Sequence, residues 1–169
     1  MLRKLILVAL LQLAGASCPL STYSYAGTRF SDAYGRQSSA RVHPDFVKYM
    51  NDMNSHAQTC GVEIKVTSHF RKNPVTGNQW NAKRSCHMIG HAIDMNLSGK
   101  NGYCNSSCLK GYSSYSGSDS SINCFLKKIR YDHPVLHWGI DFNDPVHIDD
   151  RLCTNDAEYD RILATLSDC

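Results

Sequence analysis

His87 and Asp94 stand seven residues apart in Ser85-Cys86-His87-Met88-Ile89-Gly90-His91-Ala92-Ile93-Asp94, and a third candidate, His147, closes Asp144-Pro145-Val146-His147. Imidazole and carboxylate are good zinc ligands, and a catalytic zinc takes three protein groups and leaves one position open. His87, Asp94 and His147 form such a set, with the Asp144 carboxylate beside it. On a single helix His87 and Asp94 would point within about 20° of each other but lie roughly 10 Å apart, too far for one ion. A loop leading into a strand brings them together. Gly90 permits the bend and the small Ala92 permits close backbone approach. His147 must then arrive from an adjacent strand. The helical HExxH arrangement is absent.

The elements that would carry these residues can be read from periodicity. His43-Pro44-Asp45 opens a helix, since proline is tolerated in the first turn. Phe46, Val47, Met50, Met53 and Ala57 recur at helical spacing, and the helix should end before Cys60-Gly61. Val62, Ile64 and Val66 alternate with polar residues, as in a half-buried strand. A loop is expected at Asn73 to Asn78, and a second strand at Ala92 to Leu97. Residues 98–121, rich in Ser, Gly, Asn and Tyr, read as a long surface loop held by Cys104 and Cys108. Ile122, Phe125, Leu126 and Ile129 stripe another helix. Short strands are expected at Val135 to Ile140 and Val146 to Ile148, with a turn between them. A last helix, capped by Asp156, should turn Tyr159, Ile162, Leu163 and Leu166 inward. In residues 17–43, Tyr23, Tyr25, Phe30 and Tyr34 are expected to pack as a meandering cover. Helices and short strands are segregated, so the fold class is α+β: a small central antiparallel sheet carrying the site, flanked by helices and stapled by disulfides.

Composition limits the classes of function. Arg3 and Lys4 precede the apolar run Leu5 to Leu11, and Ala14-Gly15-Ala16 is a cleavage site of the small-residue type, so residues 1–16 read as a secretory signal peptide and 17–169 as one domain. Nothing else approaches a membrane span, and no transmembrane anchoring is expected. Without Arg3 and Lys4 a chain of net charge +3 falls to about +1. There is thus no basic character to favour nucleic acid, and no Gly-rich phosphate loop. Eight cysteines in an exported chain argue for four disulfides, with roughly a hundred possible pairings. A cysteine–zinc cluster would need a second tight pair beside Cys104-x3-Cys108, and there is none. A secreted, extracellular monomer follows. Asn96-Leu97-Ser98 and Asn105-Ser106-Ser107 satisfy the glycosylation rule.

The segment Ser85-x-His87-x-x-Gly90-x-Ala92-x-Asp94 resembles the signature of the D-alanyl-D-alanine carboxypeptidase-type zinc peptidases. That superfamily also contains L-alanyl-D-glutamate endopeptidases, lysostaphin-like enzymes and the hedgehog signalling domain. Thr67-Ser68-His69-Phe70-Arg71 is similar to the family's Ser-Gly-Tyr-Arg segment. His137-Trp138-Gly139-Ile140-Asp141-Phe142-x-Asp144-x-x-His147 is similar to its closing motif. The three motifs occur in the family's order and span roughly residues 42 to 149.

The resemblance implies a hedgehog/D-Ala-D-Ala peptidase-like fold and a secreted zinc peptidase acting on peptidoglycan stem peptides. In it His87, Asp94 and His147 bind Zn2+, and Asp144 is the general base for water attack on an amide. Arg71 matches the arginine that meets a substrate carboxylate. Apart from the resemblance, His137 reads either as a proton donor or oxyanion stabiliser or as a residue packed beside Trp138, and His69 as an extra residue of the substrate cleft. Asp rather than Glu at 144, with Trp138-Gly139 upstream, looks more like the endopeptidase branch than the carboxypeptidase branch. His69 replaces the usual glycine, and Val146 and Ile148 replace bulkier aromatics. None of these departures removes a catalytic group. Two other readings stay open: a peptidase for ordinary peptides, and a zinc-stabilised binding or signalling module without catalysis.

Overall fold

The computed structural model describes residues 18–72, 84–167 and 169. The expected signal peptide and the loop expected at Asn73 to Asn78 lie outside the described residues. The chain runs through β1 (Ser21–Ser24), β2 (Phe30–Asp32), β3 (Ser39–Val42), α1 (Val47–Cys60), β4 (Glu63–Ser68), β5 (Ala92–Gly99), β6 (Gly102–Cys104), α2 (Ser106–Lys110), α3 (Ser120–Lys127), β7 (His137–Trp138), β8 (His147–Asp149) and α4 (Asp156–Thr165). This is a small α+β fold. Among the described residues no helix is long and apolar enough to cross a membrane.

The main sheet has the order β2-β4-β5-β8-β7. Strand β5 lies in the middle, with β4 along one edge and β8 and β6 sharing the other. The sheet is not wholly antiparallel, as expected from the sequence, because β2 pairs with β4 in parallel. Between these two strands the chain passes through β3 and α1, and a crossover of that length lets the second strand run in the direction of the first. Strands β1 and β3 form a separate antiparallel pair.

Alternation divides the sheet into two faces. Ile64, Val66, Ile93, Met95, Leu97, Trp138 and Ile148 enter one buried core with Met50 and Met53 of α1 and Ile122 and Phe125 of α3. The opposite face carries Asp94, His137, His147 and Asp149. A smaller core of Ile89, Tyr159, Ile162 and Leu166 fixes α4 against the segment that contains His87.

Several local expectations needed correction. Tyr23, Tyr25 and Phe30 are buried, but Tyr34 is 61% exposed, because it lies in the turn after β2 rather than on a strand. Residues 98–121 are structured. Ser98 and Gly99 finish β5, Gly102 turns the chain with φ near 101° into β6, and Leu109 and Tyr112 are buried in the main core. Two buried anchors in a stretch otherwise rich in small polar residues leave too little pattern to read. Asp119 of the same segment caps α3, accepting from Ser121 and Ile122 N–H. The helix opened by His43 begins with a tight 3-10 turn, Pro44–Phe46, and includes Cys60 before Gly61 ends it in the left-handed region. The strand expected at 135–140 shrinks to His137–Trp138, because Gly139–Phe142 winds into a 3-10 turn and Trp138 Nε1 donates to Pro145 O at 2.7 Å. Asn155, not Asp156, caps the last helix, accepting from Glu158 N–H.

All eight cysteines are paired: Cys18–Cys169, Cys60–Cys124, Cys86–Cys153 and Cys104–Cys108.

Candidate metal centre

Residues 86–89 form one 3-10 turn that hands His87 to the sheet face, and Gly90 closes the turn with φ near 72°. A side chain at 90 would meet His43 N at 2.6 Å, so glycine is required by conformation and by space. The strand β5 then begins. Asp94 lies directly opposite His147 across β5 and β8, on one face of the sheet. The loop supplies one candidate ligand and the two strands supply the others.

Three atoms converge. His87 Nε2 is 3.0 Å from Asp94 Oδ1 and 3.2 Å from His147 Nδ1, which is itself 3.2 Å from Asp94 Oδ1. Zinc bonds of about 2.0–2.1 Å at tetrahedral angles require ligand atoms about 3.3 Å apart. The remaining ring nitrogens are engaged. His87 Nδ1 donates to the His69 backbone carbonyl at 2.9 Å, and His147 Nε2 faces Asp149 Oδ2 at 2.8 Å. Such outer partners fix the tautomer that turns a lone pair toward a metal. A single proton can bridge two of the three converging atoms, whereas a divalent cation satisfies all three. His87, Asp94 and His147 are therefore a candidate site for a divalent metal such as Zn2+. Cys86, Asp149 and Cys153 also lie close together, but both sulfurs are spent in a disulfide and offer no thiolate.

The electrostatics of the metal-free cluster reflect this crowding. Burial alone would raise the Asp94 carboxyl, but hydrogen bonds from His147 and His87 hold it well below the usual range. Burial would lower His147, yet Asp149 and Asp94 together push it up to about 9. Burial and the Asp94 charge push the Asp144 carboxyl up, with His147 and His87 pulling the other way. Asp144 therefore lies within electrostatic reach of all three candidate ligands. Its backbone is pinned at both ends, N–H to Gly139 O and carbonyl to His147 N–H.

The other sequence candidates fall around this cluster. Arg71, one-third exposed, sets a guanidinium nitrogen 4.0 Å from Asp94 Oδ2, which leaves Oδ1 to the imidazoles. His137 pairs with Asp149 in the sheet register. Its Nε2 is 3.3 Å from Asp141 Oδ2 and its Nδ1 is 3.9 Å from Asp149 Oδ1, so it stands one carboxylate away from His147 rather than on the ligand atoms. His69 contributes its backbone to the centre, while its ring turns aside to Gln37. His91 is buried behind the metal loop, bonded to Asp150 at 2.7 Å.

Sequence reasoning missed Asp149. The signal was present: two positions beyond His147 on a strand places it on the same face. It is buried, and its Oδ1 accepts from Arg151 N–H, which orients the carboxylate toward His147. Phe142 was also overlooked as a wall of the site. Its ring, 43% exposed, has its centroid 5.5 Å from those of both His137 and His147.

Comparison with protein-family models, with curated proteins and with solved structures finds no match to this chain.

Proposed function

We propose that this chain is a secreted zinc-dependent peptidase of the D-alanyl-D-alanine carboxypeptidase type. Its substrates would be the amide bonds of bacterial peptidoglycan stem peptides, with endopeptidase action favoured over carboxypeptidase action. The observation that carries the reading is the convergence of His87 Nε2, Asp94 Oδ1 and His147 Nδ1. Zinc held by those three groups would polarise an amide carbonyl and make water acidic near neutral pH. Asp144 would accept a proton from water and return it to the leaving amine. Arg71, with a guanidinium nitrogen 4.0 Å from Asp94 Oδ2, would draw in a substrate carboxylate. His137, flanked by Asp141 and Asp149, would act as proton donor or oxyanion stabiliser. Four disulfides suit an oxidising compartment and support secretion. The wall substrate rests on the three sequence motifs.

The test is digestion of purified bacterial peptidoglycan by the disulfide-intact, zinc-loaded protein, with released peptides identified by mass. Zinc-stripped protein and Asp144→Ala are the controls. Fragments that vanish in both controls support the reading, and their masses name the bond. Stoichiometric zinc with intact walls of several types would replace it by a peptidase for ordinary peptides or a zinc-stabilised binding module. A panel of unmodified peptides separates those two.

A further inference from the structure

Arg130 and Tyr115 lie outside the candidate metal centre, and each stands in an uncommon backbone conformation. Lys128–Asp132 continues α3 as a π turn and carries Arg130. Tyr115 holds φ near 56°, a left-handed value that bulky side chains rarely adopt. Rare conformations of both kinds gather at functional sites. The two residues meet. The Arg130 guanidinium is 5.9 Å from the centroid of the Tyr115 ring, within reach of a cation–π contact. The ring itself lies against Tyr131 and Trp138, at centroid separations of 5.7 and 5.8 Å. Trp138 is the neighbour of His137 on β7.

The same arginine reaches the site face through one carboxylate. Arg130 Nη1 donates to both Asp141 oxygens at 2.9 Å, and Asp141 Oδ2 is also 3.3 Å from His137 Nε2. The bond from Arg130 is the chief cause that holds the Asp141 carboxyl below its usual range. An ionised carboxylate only accepts, so His137 Nε2 must carry the proton between them. The hydrogen bond at one ring nitrogen decides the state of the other. In the neutral ring the lone pair therefore belongs to Nδ1, which lies 3.9 Å from Asp149 Oδ1. Asp149 is the carboxylate that also bonds His147.

We infer that Arg130 is a positioning residue: by fixing Asp141 it sets the tautomer of His137 and leaves Nδ1 as the nitrogen free to take up and return a proton beside the candidate centre. The inference rests on the hydrolase reading for what that proton does, and on the geometry alone for the tautomer. Asp141 is 45% exposed and has no other cation bonded to it among the described residues. Without Arg130 its carboxylate is free to turn to water, and His137 is free to place its proton on Nδ1, toward Asp149.

The test compares wild type, Arg130→Ala and Arg130→Lys, all zinc-loaded. An exposed ion pair adds little to stability, so Tm and zinc stoichiometry should stay near wild type in both variants. Nitrogen NMR of the neutral His137 ring should show the Nε2–H tautomer in wild type and in Arg130→Lys, and a mixture of tautomers in Arg130→Ala. On the peptide that wall digestion identifies, Arg130→Ala should lose about tenfold to a hundredfold in kcat with KM unchanged, the scale of a misplaced catalytic group. Arg130→Lys should recover most of that loss. An Nδ1–H ring in wild type, or a tautomer indifferent to Arg130→Ala, would overturn the inference. Wild type that cuts no peptide yet loses its Nε2–H tautomer with Arg130 forfeits the hydrolase reading and keeps the positioning of His137. Protein that cuts equally well with and without Arg130 forfeits the positioning role alone.

Discussion

Asp149 Oδ2 meets His147 Nε2 at 2.8 Å, on the opposite side of the imidazole from the nitrogen that faces Asp94. The ring is held between two carboxylates, one among the candidate ligands and one outside them. Outer carboxylates of this kind typically govern metal affinity by 10–100-fold. Asp149→Ala should weaken zinc binding by about that factor while the far-ultraviolet circular dichroism stays native. Competition with a chromophoric chelator measures it, and unchanged affinity would assign Asp149 a purely structural part.

Asp144 is expected to separate binding from chemistry. Asp144→Asn keeps the backbone bonds to Gly139 and His147, which involve no side-chain atom. Zinc stoichiometry should remain at one per chain while hydrolysis falls by about 10²–10⁴, the usual contribution of a positioned base. A parallel loss of zinc would show that the carboxylate holds metal instead.

Stability should respond to pH differently with and without metal. In the metal-free protein the folded His147 pKa is raised to about 9 from an ordinary value of 6.5. The stabilisation it gives is fully present below the unfolded value and is lost as pH rises through the folded one. The Tm of zinc-stripped protein should thus decline between about pH 6.5 and 9. Zinc affinity should rise over the same window, because binding expels the proton from His147. Calorimetric scans with and without chelator check both, and a flat metal-free profile would remove His147 from the account.

The cross-link next to the metal loop should matter more than the tightest one. Cys86–Cys153 closes a separation of 67 residues and Cys104–Cys108 one of only 4. Chain entropy assigns them about 4 and about 2 kcal/mol respectively. Because Cys86 precedes His87, the double variant Cys86→Ser/Cys153→Ser should lose both Tm and zinc affinity. Cys104→Ser/Cys108→Ser should lose a smaller amount of Tm and no affinity. Thermal melts with chelator competition distinguish the two patterns.

The alternating pattern of β4 and the stripes of α1 and α3 were legible because burial imposes a strict period on them. The candidate ligands were legible because few residue types can bind zinc and because their spacing resembles a known signature. Asp149 escaped notice because the expected strand stopped at Ile148, one residue short of the position that shares a face with His147. The parallel pairing of β2 was hidden because pairing direction is a property of the path between strands. Leu109 and Tyr112 were too sparse to announce that 98–121 folds. The disulfide partners depend on distances that exist only after folding.

The division of β5 into a core side and a site side has a consequence for how such a chain can change over generations. Ile93 and Met95 flank Asp94 and point into the core. Deletion or insertion of one residue between Ala92 and Leu97 would turn Asp94 inward and expose its apolar neighbours, abolishing site and core together. Substitutions on the polar face leave the core intact. A lineage built on this sheet can therefore revise its chemistry one side chain at a time, while length changes are confined to the connections outside the strand.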